Sequence, residues 1–222
     1  MTQIDAFIPL KGHSARVPGK NLRDFDGKPL FLSIVEQLQA ATRVGTIFID
    51  TDSPEIAERA SPLDGVVVMH RRPELVGDDV SVNLLIKSFL ETYPSKSLIQ
   101  THATNPLLTA RTIDAALAEF EIRSDISSLF SVTRFQARFF DADMRAINHN
   151  PNELLPTQNL SPLYLENSNF YIFDREGFLE DDRRITDRAA MFEVDPNEAV
   201  DIDEESDFEL ALSILRSGKT NR

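Results

Sequence analysis

Two glycines and four cations follow the first apolar run of the chain. The run from Ala6 to Leu10 is predicted to be a buried strand, and no acid occurs between Asp5 and Asp24, although the whole chain has a formal net charge of -13. The residues of this loop that could do chemistry are Lys11, Gly12, Arg16, Gly19, Lys20 and Arg23. Glycines allow backbone conformations that expose N–H groups, and cationic side chains neutralise phosphate oxygens. The loop is therefore predicted to bind an anion, although a solvated surface loop would have the same composition.

The spacing of this loop differs from the common phosphate-binding motifs. Six residues separate Gly12 from Gly19-Lys20, whereas four stand there in a P-loop, and the chain has no G-x-G-x-x-G. Gly12-His13-Ser14 begins like a nucleophile elbow, but Arg16 occupies the position of its last glycine. The chain has no cysteine, which excludes disulfides, thiol catalysis and cysteine-bound metals. The loop is thus expected to position and neutralise an anion, not to supply a nucleophile.

A second candidate group lies near the C-terminus. From Glu193 to Glu209 there are nine acids and no Lys or Arg. If residues 200–203 are extended, Val200 and Ile202 face the core while Asp201 and Asp203 project together. Two carboxylates on one side suit Mg²⁺, which takes one or two of them and completes its coordination with phosphate oxygens and water. This pair is predicted to be a metal site.

Helix capping is the alternative explanation of these acids. Asp203 is a possible N-cap of the last helix, and Ser206 with Glu209 fits a capping box. Capping and metal binding are compatible for Asp203, but capping alone does not account for Asp201. Glu204 and Glu205 are expected to stabilise the N-terminus of the same helix.

Alternating apolar runs and helix-periodic segments must position these groups. The pattern predicts an α/β sheet with helices on both faces. Predicted strands cover residues 6–10, 46–49, 66–69, 97–101, 126–132 and 166–173, and predicted helices follow the cationic loop, Ser53, Ser81, Thr109 and the acidic segment. Ligands of open α/β sheets bind beyond the carboxyl ends of the strands. The polar turn from His102 to Asn105 is therefore a predicted wall of the cleft.

Other polar residues near strand ends and helix starts have two interpretations each. His102 is either a ligand contact or a tethered polar residue without a chemical role. Asn167 and Asn169 face one side of a strand if that strand is already extended, but an Asx-turn that opens the strand is the alternative. Ser81 is predicted to cap a helix, and only the resemblance described below adds a nucleotide contact.

Five segments, in order along the chain, resemble the sugar-activating cytidylyltransferases, which are the CMP-sialic acid and CMP-Kdo synthetases. The run from Ile8 to Arg23 is similar to their N-terminal signature, I-P-A-R-x-G-S-K-R-x-P-x-K-N. It departs from that signature at Lys11, which replaces an arginine, at His13, where glycine is common, and at Ala15, which replaces a lysine. The other segments are residues 72–79 (R-P-x-x-L-x-x-D, one residue shorter here), 102–109 (Q-P-T-S-P-L-R-T, with Leu108 for arginine), 167–172 (N-G-x-x-Y-I, with Ser168 for glycine) and 201–207 (D-I-D-T-E-x-D).

The resemblance implies a fold and a reaction. The fold would be a three-layer, Rossmann-like nucleotide-diphospho-sugar transferase fold with a mostly parallel sheet. CTP and an acidic 2-keto-3-deoxy sugar would give CMP-sugar and pyrophosphate, with Mg²⁺ held by Asp201 and Asp203. The implied catalytic cations are Lys20, Arg16 and Lys11, the implied nucleotide contacts are Leu10, Gly12, Ser14, Asn21 and Ser81, and the implied sugar contacts are His102, Thr104, Asn105, Asn167 and Asn169.

The whole chain sets the remaining expectations. Its 222 residues suit a single domain. Residues 133–165 have no regular period and contain several large apolar side chains; the resemblance implies a dimerisation arm there and a homodimer, although a satellite core would have the same composition. No stretch is apolar enough to span a bilayer and no signal-peptide core is present, which suggests a cytoplasmic protein. An excess of acids, 36 against 23 Lys plus Arg, argues against binding nucleic acid.

Two further functions remain open at this level. The chain could be a nucleotidyltransferase for another sugar or nucleoside triphosphate. It could also be a nucleotide- or sugar-binding protein without catalysis, because Ala15 and Leu108 replace charged residues of the resembling family.

Overall fold

Seven strands and six α-helices make up the regular structure of residues 3–14 and 16–218, which are the residues described by the computed structural model; Ala15 lies outside them. The strands are β1 (Ile4–Leu10), β2 (Val44–Thr51), β3 (Val66–His70), β4 (Ser97–Thr101), β5 (Ser128–Phe135), β6 (Leu163–Asp174) and β7 (Ala189–Glu193). The helices are α1 (Leu30–Ala40), α2 (Pro54–Ala60), α3 (Val82–Thr92), α4 (Ala110–Ile122), α5 (Arg175–Asp181) and α6 (Glu205–Arg216).

The strands form one mostly parallel sheet in the order β3-β2-β1-β4-β6-β5-β7. β6 runs antiparallel to β4 and β5, and the other neighbouring pairs are parallel. β2 and β3 follow β1 on one side of it in the sheet, and β4 lies on the other side of β1. β1 and β4 therefore flank the point where the strand order reverses, and a crevice opens there at the carboxyl ends of the strands.

Helices cover both faces of the sheet, as the sequence predicts. Alternate strand residues point to opposite faces: Ala6 and Ile8 pack with α1, α2 and α4, whereas Phe7 packs with α3 and α5. Phe7 and Phe89 have ring centroids 5.2 Å apart on the second face. Each fully buried side chain of this size contributes about 1.5–3 kcal/mol. The result is a three-layer α/β fold.

A third apolar cluster fixes α6 against the loop that follows β1. It consists of Phe25, Leu30, Leu107, Ile202, Phe208 and Ala211, all buried. Val200 is partly buried against the same cluster. The expectation that Val200 and Ile202 face the core is therefore confirmed, and this packing brings the acidic segment to the start of the chain.

Two elements, α5 and β7, were not expected from the sequence. β7 is only five residues long, begins with two alanines and is only partly buried. It acquires its strand conformation by pairing with β5, so its own residues carry little signal. The irregular region expected at residues 133–165 is narrower than its bounds, since β5 extends to Phe135 and β6 begins at Leu163. Among the described residues, no helix combines the length and the apolar character that crossing a membrane requires.

Candidate active site

A cleft of about 400 Å³ lies beyond the carboxyl ends of β1 and β4. Eight of the predicted site residues line it: Leu10, Lys11, Ser14, Arg16, Lys20, Asn21, His102 and Thr104. They come from two loops that follow neighbouring strands, which is why residues distant in sequence share one cavity. Eight other lining residues were not among the predicted site residues: Pro9, His13, Arg71, Asp78, Val80, Val82, Leu85 and Ala103.

The cationic loop and the aspartate segment meet beside this cleft: Arg16 and Lys20 line it, whereas Asp201 and Asp203 lie outside its lining. Arg16 Nη2 lies 2.6 Å from Asp203 Oδ1. The Lys20 side chain is buried, its ammonium donates to the backbone carbonyl of Ile202, and its Nζ lies 4.0 Å from Asp203 Oδ1. The structure thus brings together the two groups of residues that the sequence singled out.

Thr104 connects the aspartate segment to the carboxyl end of β4. The backbone N–H of Ile202 donates to the carbonyl of Thr104 at 2.8 Å. With Ile202 inserted into the core, Asp201 and Asp203 are both left on the side of the cations, as the expected alternation requires. The segment itself forms no regular strand.

Burial dominates the electrostatics of this cluster. It raises the pKa of the Asp201 carboxyl above its ordinary value, an effect that the Thr104 side chain and Lys20 oppose and Asp203 reinforces. It also lowers the pKa of Lys20, while the charges of Asp203 and Asp201 act in the opposite direction. Asp201 Oδ1 is buried and has no hydrogen-bond partner within the described residues. Asp201 therefore offers an unused acceptor.

A capping box is present at the start of α6, but the residues predicted to form it are wrong. The N-cap of α6 is Glu204, whose side chain accepts from the backbone N–H of Asp207, while Asp207 Oδ2 accepts from Glu204 N at 2.8 Å. Asp203 precedes this capping box, and Ser206 and Glu209 do not form one. The Asp201 and Asp203 side chains therefore take no part in capping α6, and Asp203 pairs with Arg16 instead. Within residues 3–14 and 16–218, no cluster of three or more His, Asp or Glu could hold a metal.

Gly12 uses its N–H within the protein. It donates to Asp52 Oδ1 at 2.7 Å, so this N–H is not the exposed donor that the composition suggested. A Cβ at position 12 would lie 2.9 Å from Ser53 Cβ, which explains the glycine by close approach of two loops. Gly19 has φ 63°, a left-handed conformation that glycine adopts freely.

The other loop residues hold the shape of the cleft. Asn21 Nδ2 donates to the carbonyl of Lys11 at 2.9 Å and so links the two ends of the loop. Lys11 Nζ lies 3.3 Å from Asp78 Oδ1 on the facing wall. Arg23 makes two hydrogen bonds to Glu205, at 2.6 and 2.7 Å, and stacks over Phe208. Arg23 is thus committed to tethering α6, unlike the cations that line the cleft.

Ser81 and the three asparagines lie outside the cleft lining. Ser81 caps α3 and accepts from Asn83 N at 3.3 Å. Asn105 is fully buried and donates to Asn169 Oδ1 at 3.1 Å, and Asn167 is buried as well, donating to Thr133 Oγ1 at 3.0 Å. Asn167 Oδ1 also accepts from Asn169 N at 3.3 Å, so the contact expected of an Asx-turn is present. These amides connect the turn after β4 to β6 from behind the cleft.

His102 is a neutral histidine on the cleft wall. Burial, with Arg184 and Lys20 nearby, lowers the pKa of His102 to about 3. Its Nε2 lies 3.0 Å from Gln100 Nε2 and 3.5 Å from Arg184 Nη1, and both of these atoms are donors. Nε2 must therefore carry a lone pair, and the proton resides on Nδ1.

Arg71 is the clearest residue that the sequence analysis missed. Its guanidinium forms a buried ion pair with Asp50 at 2.5 Å and reaches the carbonyl of Leu10 at 3.4 Å, so it supports the end of β1 under the cleft. The one available signal was an arginine immediately after the apolar run of β3, opposite Asp50 at the end of β2.

A mostly parallel sheet with a cationic cleft at its switch point is the arrangement of nucleotide-binding α/β proteins. A family model described as cytidylyltransferase matches residues 6–219. Because this match covers almost the whole chain, the chain belongs to the cytidylyltransferase family.

Individual relatives agree with this assignment. The chain is 28% identical, over 94% of each sequence, to a pseudaminic acid cytidylyltransferase of Campylobacter jejuni. It is 29% identical to N-acylneuraminate cytidylyltransferase B of Danio rerio, over 98% of this chain and 52% of that protein.

Solved structures share the fold at low sequence identity. A CMP:2-keto-3-deoxy-manno-octonic acid synthetase complexed with CTP has a TM-score of 0.71 at 14% identity, covering 97% of this chain and 99% of the other. A 4-diphosphocytidyl-2C-methyl-D-erythritol synthase from Anaerococcus prevotii has a TM-score of 0.68 at 13% identity, covering 97% and 96%. The mostly parallel three-layer fold predicted from the resemblance is confirmed.

Proposed function

We propose that this protein transfers CMP from CTP to an acidic 2-keto-3-deoxy sugar and releases pyrophosphate. The single observation that carries the proposal is the contact between Arg16 and Asp203, because it joins the cationic loop that lines the cleft to the segment of paired aspartates. Family membership supports the nucleotide. Two relatives, a pseudaminic acid cytidylyltransferase and an N-acylneuraminate cytidylyltransferase, support the class of sugar.

The chemistry requires charge compensation and positioning more than a protein nucleophile. The hydroxyl oxygen of the sugar bonds to the α-phosphorus, the bond from that phosphorus to the bridging oxygen breaks, pyrophosphate leaves, and the hydroxyl proton passes to solvent. Lys20 and Arg16 line the cleft and would neutralise charge on the α- and β-phosphates, and Lys11 would assist from the same loop. Phosphoryl-type transfer proceeds well with such compensation alone.

The remaining cleft residues are proposed to contact the two substrates. Leu10, Ser14 and Asn21 line the part next to the loop cations and would contact the nucleotide. His102 and Thr104 line the wall after β4 and would contact the sugar. We assign indirect roles to Gly12 and Ser81 on the nucleotide side and to Asn105, Asn167 and Asn169 on the sugar side, because their polar atoms bond within the protein.

Asp201 and Asp203 fit a divalent cation, for which Mg²⁺ is the proposal. Asp201 Oδ1 is buried without a partner in the described part of the chain, and a buried acceptor of this kind is costly unless something binds it. When bound, Mg²⁺ would supply a Lewis acid that neutralises phosphate charge. The protein's own contribution is to hold the two carboxylates on the side of Lys20 and Arg16.

We further propose a homodimer of single-domain subunits, located in the cytoplasm and without a nucleic-acid partner. Eight large apolar side chains between Phe135 and Leu165 are exposed, with Leu154 at 91% and Met144 at 84%. Exposed apolar groups concentrated in one segment are typical of an interface. The net charge of -13 opposes binding to nucleic-acid backbones.

Pyrophosphate release tests the proposed function. The protein is incubated with Mg²⁺, each of the four nucleoside triphosphates, and N-acetylneuraminic, pseudaminic or 2-keto-3-deoxy-manno-octonic acid. We expect release with CTP and at least one of these acids, and none when the acid is omitted. Release with another nucleotide would redirect the proposal, and none above background with any pair would mark a binding protein.

A further inference from the structure

Arg184 is a partly buried cation in the segment between α5 and β7. Among residues 3–14 and 16–218, no carboxylate oxygen lies within 4.0 Å of its guanidinium nitrogens. Its neighbour Arg183, by contrast, pairs with Asp187. Burial lowers the pKa of Arg184, with Tyr171 and Glu166 acting in the opposite direction. Glu166 therefore compensates the charge of Arg184 only from beyond 4.0 Å, and a buried arginine without a carboxylate in direct contact is unfavourable in the ligand-free protein.

Three side chains hold the Arg184 guanidinium in place. It stacks over the Tyr171 ring at 3.8 Å from the centroid. Nη1 donates to Gln100 Oε1 at 2.5 Å and lies 3.5 Å from His102 Nε2. These contacts use Nη1 and one face of the guanidinium plane. Among the described residues, Nη2 and Nε of Arg184 have no hydrogen-bond acceptor. These two nitrogens are one edge of the guanidinium fork.

Arg184 lies next to the cleft but outside its lining. His102 lines the main cleft, and Val82 lines both this cleft and an adjoining cavity of about 310 Å³ that Arg184 itself lines. Tyr171, under the guanidinium, belongs to β6, which is two strands from β1. Arg184 contacts Gln100 of β4 and His102 just after it, whereas the loop cations assigned to the phosphates follow β1. Arg184 therefore lies on the β4–β6 side of the cleft.

We infer that Arg184 binds the carboxylate of the acceptor sugar, with Gln100 and His102 as positioning residues. The inference rests on the proposed function, since it names the part of the substrate that this side of the cleft takes. A guanidinium edge with two parallel N–H groups matches a planar carboxylate, and neutral His102 adds no competing positive charge. The sugar carboxylate would be the counter-ion that Arg184 lacks.

Substitution of Arg184 tests this role, with Arg183→Gln as the matched control. Arg183→Gln removes the same charge one residue away, from a side chain already paired with Asp187. With the sugar acid that the wild type uses, Arg184→Gln should raise the KM for the acid about 10- to 100-fold. The KM for CTP should change by less than about twofold. Arg184→Lys should fall between, because it keeps the charge but loses the fork.

The same interaction can be removed from the substrate side by esterifying the carboxylate of the sugar acid. The methyl ester of the acid has no carboxylate charge, so the wild type should lose affinity for it while Arg184→Gln binds acid and ester alike. Equal losses for the acid and for CTP would assign Arg184 to the phosphates, and an unchanged KM for the acid would make it a structural residue. Either result overturns the inference while turnover by the wild type preserves the proposed function.

A binding experiment distinguishes failure of the inference from failure of the proposed function when the wild type shows no turnover. If the wild type releases no pyrophosphate with any acid, calorimetric titration of the same three acids into wild type, Arg184→Gln and Arg183→Gln replaces kinetics. Binding that only Arg184→Gln loses would support the inference although the enzymatic proposal fails. Binding that both variants keep, or no binding to the wild type, would overturn it. Thermal unfolding of each variant confirms that it is folded.

Discussion

Arg16 Nη2 lies 2.6 Å from Asp203 Oδ1, although 187 positions separate the two residues in the chain. Both side chains are substantially exposed, at 64% and 43%. An exposed pair of this kind contributes at most about 1 kcal/mol and is weakened by salt. The contact therefore contributes little to stability, and a triphosphate with its cation can replace it at little cost. Its importance lies in where it places the two charges.

The aspartates provide the first prediction. Asp201→Asn and Asp203→Asn should each lower metal-dependent turnover by about 100-fold or more, because each removes a carboxylate proposed to hold the cation. Asp201→Asn should leave thermal stability unchanged or raised, since burial disfavours the charge that it removes. Pyrophosphate release over a Mg²⁺ titration and thermal unfolding measure the two effects.

Asp195→Asn is the control for these variants. Asp195 belongs to the same acidic stretch, but its carboxylate accepts from the backbone N–H of Asn197 at 2.8 Å and, among the described residues, forms no ion pair with the loop cations that Asp203 contacts. It should keep wild-type turnover and Mg²⁺ dependence. Full activity in Asp201→Asn or Asp203→Asn would refute the role of that residue in holding the metal.

Gly12 provides a prediction about stability. Gly12→Ala should destabilise the protein by about 1–3 kcal/mol, because the new Cβ would meet Ser53 Cβ at 2.9 Å. Ser53 caps α2, and replacing a cap by glycine costs only a few tenths of a kcal/mol. The double variant Gly12→Ala/Ser53→Gly should therefore recover part of the loss in urea unfolding. A double variant no more stable than Gly12→Ala would show that the close approach is not the cause.

The sequence predicts the central part of the fold well because strong local signals occur there. The buried strands β1, β2 and β4 are apolar runs, and Ser53, Ser81 and Thr109 cap helices as expected. The alternation at Val200 and Ile202 predicted which side the aspartates face, and it did so because a single buried isoleucine determines the register of the segment.

Other features depend on contacts between distant residues, which a single sequence does not encode locally. β7 is a strand because β5 pairs with it. The N–H of Gly12 is consumed by Asp52, 40 residues away, and Arg71 is buried because Asp50 compensates its charge. Arg184 lies in a segment without any motif, and its place beside His102 follows only from the packing of β6 against β4.

The exposed apolar segment between β5 and β6 predicts the oligomeric state. Leu154→Ser should weaken self-association and shift the sedimentation of the protein towards the monomer, because Leu154 is 91% exposed in a single subunit. Ile122→Ser is the matched control: Ile122 is 82% exposed but lies on α4, outside the segment. Equal behaviour of both variants, or a monomeric wild type at micromolar concentration, would contradict the dimer.

Ser168 provides a prediction about backbone strain in β6. Its φ is 59°, a left-handed conformation that costs a residue with a Cβ about 1 kcal/mol. Ser168→Gly should therefore be more stable than Ser168→Ala by about that amount, since both variants lose the hydroxyl near Tyr171 and only glycine relieves the strain. Urea unfolding of the pair measures the difference. If the alanine variant is equally stable, the backbone conformation carries no cost.

His102 predicts how stability depends on pH. The unfolded chain binds a proton on this histidine near its ordinary value of 6.5, whereas the folded protein does so only near a pKa of about 3. Between these values the unfolded state binds more protons, so the free energy of unfolding falls as the pH is lowered, by up to about 1.4 kcal/mol per unit. His102→Gln removes this contribution while every other titrating group remains. The wild type should therefore lose stability faster than His102→Gln between pH 6.5 and 4.5 in urea unfolding. Parallel curves would mean that His102 accepts a proton in the folded protein, and that Arg184 and Lys20 do not keep it neutral.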